Sequence, residues 1–269
     1  MGDQEDVIRH YETIREEDRM SSGLGQLELV RTQEILQRHL PRPPARVLDV
    51  GGGTGVHASW LAEGGYDVHV IDLTPHHVER IQNDLGLARV TAEVGDARHL
   101  AVADQSVDVA LILGPMYHLT DHDDRQQALR EALRVVVPGG LVAVAAISRF
   151  ASLFDGLARG FLFDPDFRKI VERDLADGQH RNPDDHPHWF TTAFFHDPEQ
   201  LRGELEVAGL NVIELVGLEG LAGWLGHLGE KWDSEDGRET ILYAARAVES
   251  EPSVLGLSGH LLAIGRAPS

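Results

Sequence analysis

The chain has 269 residues, enough for one α/β domain with an insertion or for two small domains. It is 42% apolar, yet no run of about 18 apolar residues occurs, and it opens on the acidic, polar stretch MGDQEDVIRHYETIREEDRM, so neither a membrane span nor a secretory signal is expected. Acidic residues outnumber basic ones 44 to 24, and cysteine is absent, which argues against a phosphate-backbone partner and removes disulfide, thiol and thiolate-metal chemistry.

In chain order, residues 3–40 read as two helices. The first spans about 6–19, around Val7, Ile8, Tyr11 and Ile14. The second is carried by Leu24, Leu27, Val30, Ile35 and Leu36 at near-helical spacing and is ended by the proline-rich 41–44. A strand over 45–50 then runs into Gly51-Gly52-Gly53-Thr54-Gly55, followed by a helix over 57–63. A second strand is predicted over 67–73, and Thr74-Pro75 marks the start of a helix over 75–85. Strands follow at 89–94, 107–113 and 141–147. A helix from about 121 to 136 separates the last two, and its Asp121–Asp124 cluster reads as an N-cap with acids in the first turn. Apolar strands alternating with helices specify an α/β fold with a doubly wound, mostly parallel sheet.

From 148 to about 193 the rhythm breaks into two amphipathic stretches (151–162 and 166–177) and a turn-rich segment, 178–190, an insertion of the length expected of a lid. A helix over 198–208, a strand over 211–216, a helix over 238–249 and a strand over 260–264 complete the chain. The implied organisation is an N-terminal helical cap (1–43), a cofactor-binding core (44–147), a lid (148–193) and the C-terminal part of the sheet (194–269).

A strand entering a glycine-rich turn is how chains approach nucleotide-like cofactors, and Gly53-Thr54-Gly55-Val56-His57-Ala58 also fits the dinucleotide pattern G-x-G-x-x-A. Asp49, two residues before the first glycine, is placed to brace the N–H groups of the turn. Asp72, at the end of the second strand, suits ribose hydroxyls in either cofactor class. The downstream segments resolve the choice. VLDVGGGTG, VIDLT, VGDA, SVDVALILG and LRVVVPGGLV stand in the order and spacing of the class I S-adenosylmethionine-dependent methyltransferases, which the chain resembles tightly over about 45–147.

That resemblance implies a seven-stranded sheet that binds S-adenosylmethionine and releases S-adenosylhomocysteine. Gly51, Gly52 and Gly53 would approach the methionine part, with Asp49 behind them. Asp72 and Leu73 would meet the ribose, Gly95, Asp96 and Ala97 the adenine, and Leu113 the cofactor beside the fourth strand. In some small-molecule members a Tyr…Arg helix closes over the cofactor, which would engage Tyr11 and Arg19; the alternative is an ordinary packing helix. His118, in the loop after the fourth strand, is the candidate base or orienting group, or else a contact of the cofactor carboxylate, with Tyr117 and Met116 beside it. Gly114 offers no acceptor for the exocyclic amine of a nucleobase, which again argues against nucleic acid. Lid residues His186, His188, Trp189 and Phe190 are candidates for the acceptor pocket, and no metal is expected. The expected protein is a cytoplasmic enzyme, monomer or homodimer, that methylates a small molecule such as a secondary metabolite. The alternative is a non-catalytic binding or regulatory protein of the same fold.

Overall fold

The computed structural model describes residues 23–85, 88–183, 186 and 188–269. The helix expected over 6–19, with Tyr11 and Arg19, lies outside the described residues, as do Asp184, Asp185 and Pro187.

The second N-terminal helix is α1 (Gly23–His39), whose Leu27, Ile35 and Leu36 are fully buried. The alternating core follows as β1 (Arg46–Val50), α2 (Val56–Glu63), β2 (Asp67–Asp72), α3 (Pro75–Arg80), β3 (Val90–Val94), β4 (Val107–Ile112), α4 (Pro115–His118), α5 (His122–Val135) and β5 (Val136–Ile147). Then come α6 (Ala151–Arg159), α7 (Pro165–Asp177), the two-residue strands β6 (Gln179–His180) and β7 (Ala193–Phe194), and α8 (Pro198–Val207). The chain continues through β8 (Asn211–Gly217), α9 (Leu228–Trp232), α10 (Glu235–Val248) and β9 (His260–Arg266).

Seven strands form one sheet in the order β3-β2-β1-β4-β5-β9-β8, and β9 runs antiparallel to both of its neighbours while the other pairs are parallel. Strand order reverses between β1 and β4, the point at which such sheets open a ligand crevice at their carboxyl ends. The two-residue alternation of each strand feeds two cores. Leu48, Val50, Val142 and Val144 pack on one face with α5 and α8, and Val47, Leu141 and Ala143 pack on the other with α1 and α2.

Several boundaries differ from the sequence reading for local reasons. The helix beginning at Pro75 is α-helical to Arg80 and continues as a π turn over Ile81–Leu85. β5 starts at Val136, five residues before its expected start. Val107 pairs with Val136 and Val109 with Leu141, so Pro138, which lacks an N–H, and Gly139, at φ 73°, are accommodated in an irregularity. The one-turn α4 and the five-residue α9 are too short to show a helical period. As expected, the Asp121 side chain caps α5, accepting from the amides of Asp123 and Asp124.

One clamp positions the site. Arg31 of α1 is fully buried, its Nε donates to the Leu218 carbonyl at 3.2 Å, and its guanidinium pairs with Glu34 and with Glu249 after α10. This fixes α1 against the end of β8. Glu28 and Thr32, four residues apart and so on one helical face, border the cavity described next. No helix of the described residues is long and apolar enough to cross a membrane.

Candidate functional site

A cavity opens along the carboxyl ends of the parallel strands, and its wall follows the sheet order. One half is built from the segments after β3, β2 and β1. The other is built from the loop after β4, Ala145 of β5, Leu218 after β8 and His260 of β9. Because β9 is antiparallel, its first residue reaches this edge, opposite Ile147 of β5. The ionisable side chains among the described lining residues are carboxyls, imidazoles and the Tyr117 phenol, without Lys or Arg, a potential that favours cationic and neutral ligands over anions.

In the first half, Gly51 (φ 71°), Gly53 (φ 55°) and Gly55 (φ 80°) take the left-handed conformation that turns the chain out of β1. A Cβ on Gly53 would meet nothing within 4 Å, so its backbone faces open space, whereas a Cβ on Gly52 would come within 2.8 Å of the Asp49 carboxylate. Asp72 sits across the turn. Its Oδ2 accepts from the Gly53 amide at 2.8 Å, and its Oδ1 from the Thr74 amide at 2.8 Å with the His77 ring 3.1 Å away. Burial works to raise the Asp72 carboxyl, but the His77 ring and the two amides outweigh it and hold the group below its usual range.

Asp49 corrects the sequence reading. It does not brace the glycine turn; Asp72 does. Asp49 shares the alternation of Val47, is completely buried, and both of its oxygens lack a hydrogen-bond partner among the described residues. Burial, reinforced by the charge of Asp72, lifts its carboxyl to about 7.

Leu73, Gly95, Asp96 and Ala97 all line this half. The Asp96 carboxylate is already gripped by Arg98, at 2.6 Å from Nη2 and 3.0 Å from Nε, and Arg98 in turn reaches Asp124 at 2.7 Å.

After β4, Leu113, Tyr117 and His118 border the cavity. The His118 ring lies edge-on to Tyr117 at 4.7 Å and stacks on Phe190 at 6.2 Å. Met116 does not reach the cavity. It is fully buried in the core beside Leu129 and Val144, because the one-turn α4 sends it inward between two outward neighbours. Nor does the structure bring His186, His188 and Trp189 to the wall. Trp189 stacks on His186 at 4.1 Å and packs on Phe167 of α7 at 5.3 Å, so these rings satisfy one another. Of that group Phe190 alone touches residues of the wall, through Tyr117 and His118. His57, at the start of α2, also borders the cavity.

The far half contains residues the sequence reading did not single out, Glu28, Thr32 and His260, with Glu219 behind His260. Glu219 follows β8 and is fully buried, and its Oε1 lies 2.5 Å from His260 Nδ1. Its Oε2 accepts from Ser258 Oγ at 2.6 Å and from the His260 amide at 3.0 Å. The signal available in sequence was indirect. Ligands gather at carboxyl ends of strands, which points to Leu218 and Glu219, but His260 opens a strand and is found only once β9 is known to run backwards.

Residues 47–140 match a family model described as a methyltransferase domain. The chain is 35% identical to methyltransferase GfsG of Streptomyces halstedii, over 43% of this chain and 42% of that protein. It is 29% identical to the ubiquinone biosynthesis O-methyltransferase of Azorhizobium caulinodans, over 73% of this chain and 74% of that one. The chain thus spans about two fifths of the length of GfsG and about three quarters of the quinone-pathway protein. In fold it is similar to an S-adenosylmethionine-dependent methyltransferase from Mesorhizobium loti, with a TM-score of 0.60 at 16% identity over 89% of this chain and 99% of that one. It is also similar to the [4+2]-cyclase SpnF, with a TM-score of 0.57 at 19% identity over 90% and 80%.

Proposed function

We infer from the membership of this chain in the class I S-adenosylmethionine-dependent methyltransferases that it moves a methyl group to a small-molecule acceptor. One observation carries the reading. The cavity is divided along the sheet into a glycine-turn half with two buried carboxyls and a half lined by Tyr117, His118 and His260, which gives two ligands adjoining places.

The residues present fit the cofactor. The open face of Gly53 admits close backbone approach, and the partnerless, buried oxygens of Asp49 suit a cationic amino group. Asp72 has lone-pair capacity left for ribose hydroxyls, with Leu73 beside it. Gly95, Asp96 and Ala97 would border the adenine, and Leu113 the middle of the cofactor. When bound, S-adenosylmethionine supplies an electrophilic methyl group on a sulfonium.

The protein's own contribution is positioning and exclusion of water. Residues 148–193 serve as the lid, and Phe190 is its contact with the acceptor side, holding the His118 ring against Tyr117. His118 then orients the acceptor, and Tyr117 forms a wall. Calorimetric titration with S-adenosylmethionine, S-adenosylhomocysteine and NADPH tests the reading. Binding of both sulfur ligands is expected, and tight NADPH binding without them would overturn it.

A further inference from the structure

We propose that His260, oriented by Glu219, is the general base of the transfer, and that the acceptor is an uncharged or cationic molecule whose attacking oxygen or nitrogen gives up a proton. The assignment rests on the methyl-transfer reading above and adds to it a base and a substrate class.

The hydrogen-bond pattern around Glu219 orients the His260 ring. Ser258 Oγ accepts from the amides of Glu219 at 3.0 Å and Gly220 at 3.1 Å, so its own proton is directed to Glu219 Oε2 at 2.6 Å. Oε2 also accepts from the His260 amide. With Oε2 accepting from Ser258 and from the His260 amide, Glu219 as a carboxylate takes the proton of His260 Nδ1 across the short contact at Oε1. In the neutral ring that arrangement leaves the lone pair on Nε2. Two anchors hold it in place. The backbone of His260 is paired in the sheet opposite Ile147, and Glu219 grips Nδ1 from full burial. The His260 side chain, 23% exposed, borders the cavity on the acceptor side. His118, by comparison, is packed between the rings of Tyr117 and Phe190.

The step balances as follows. The acceptor's O–H or N–H proton passes to Nε2 as the oxygen or nitrogen lone pair forms a bond to the methyl carbon. The carbon–sulfur bond breaks with its electrons going to sulfur, leaving a neutral thioether. The imidazolium so formed lies against the Glu219 carboxylate, and Glu28 Oε2 is 3.8 Å from Nδ1, so two carboxylates stabilise it. An anionic acceptor would meet these charges with no Lys or Arg among the described lining residues to offset them.

The test uses the full chain. Nitrogen-15 histidine NMR of the S-adenosylhomocysteine complex at pH 8 is expected to show His260 protonated on Nδ1, and an Nε2–H ring would overturn the assignment. Labelled methyl transfer is then measured to catechol, resorcinol, tyramine, dopamine and histamine, beside benzoate and phenylacetate. A phenol or amine is expected to be methylated and the carboxylates are not. His260→Asn, which keeps a donor for Glu219 but no base, should lower kcat about 10²–10⁴-fold with KM and S-adenosylhomocysteine affinity nearly unchanged. Glu219→Gln, acting through the ring, should lower kcat about tenfold or more. Full kcat in His260→Asn overturns the proposal, and so does transfer to no phenol or amine by a protein that binds S-adenosylhomocysteine. Because Glu28, Glu219 and His260 bring three metal-type donors within 4.8 Å of one another, activity that needs added Mg²⁺ or Mn²⁺ and vanishes with EDTA overturns it as well. Failure to bind S-adenosylhomocysteine at all would instead remove the methyl-transfer reading and this assignment with it.

Discussion

The Asp72 carboxylate holds the amide of Gly53 at 2.8 Å, tying the end of β2 to the turn that leaves β1. The same side chain accepts from the amide of Thr74, the residue before α3, so it shapes the cavity and holds the entry to a helix at once. Asp72→Ala should therefore weaken S-adenosylhomocysteine binding by about 1.5–3 kcal/mol and also lower the melting temperature, because two amides lose their acceptor. Calorimetry and thermal unfolding on the same sample check both effects. Unaltered affinity with a lowered melting temperature would assign Asp72 to the fold alone.

Asp49 makes stability and binding depend on pH in opposite senses. Its carboxyl titrates near 7 in the folded protein, whereas the unfolded chain releases that proton near 3.8. Between those values the native state binds more protons, so this group's contribution to stability falls as pH rises from about 4 to 7. Asp49→Asn should melt higher than wild type at pH 8, with the difference shrinking toward pH 5. S-adenosylhomocysteine, with its cationic amino group, should bind wild type more tightly above pH 7 than at pH 6, and Asp49→Asn should lose that dependence.

Glu204 supplies the complementary acid-side effect. Burial would raise its carboxyl, but hydrogen bonds from His196 and the Arg125 guanidinium hold it at about 2, and Arg125 Nη2 lies 2.8 Å from Oε1. A depressed carboxyl contributes stability above about 4.5 that is lost as pH falls toward 2. Glu204→Gln should destabilise the protein by about 3–5 kcal/mol at pH 7, since it strands a buried guanidinium, and should flatten the acid limb of the stability curve. Chemical denaturation across pH 3–7 measures both.

Phe190 joins the 148–193 insertion to the loop after β4 through the rings of Tyr117 and His118. Phe190→Ala should raise KM for an acceptor several-fold while leaving S-adenosylhomocysteine affinity unchanged, because the His118 ring loses its stacking partner. In wild type, adding S-adenosylhomocysteine with an accepted phenol or amine should slow amide exchange at 151–177 and 189–195. Protection limited to 50–55 and 113–119 would make 148–193 a structural insertion rather than a lid.

The glycine-turn half of the cavity was legible in the sequence because its residues are local to strand ends. Gly51, Asp72 and Gly95 each follow or close a strand that its own periodicity marks. Asp49 was found but its role was misread, since only the packed structure shows that Asp72 takes the Gly53 amide while the Asp49 oxygens, though beside Gly52, meet no donor among the described residues. Met116 failed for the reason that a single helical turn has no readable period, and Trp189 because neighbouring aromatic rings can bind one another as readily as a ligand. Glu28, Glu219 and His260 were invisible for a different reason. They converge only after α1 is clamped to β8 by Arg31 and β9 is inserted antiparallel, and neither event has a local signature.

The two halves of the cavity also differ in how far along the chain their walls must be gathered. The glycine-turn half is drawn from 49–97 and the far half from Glu28 to His260, with the Arg31–Leu218 bond alone joining positions 187 residues apart. Long loops close slowly and late. During refolding, affinity for S-adenosylhomocysteine is therefore expected to return before the acceptor compartment is complete. The same separation lets substitutions at α1, β8 and β9 reshape the far half of the cavity while the glycine-turn half stays as it is.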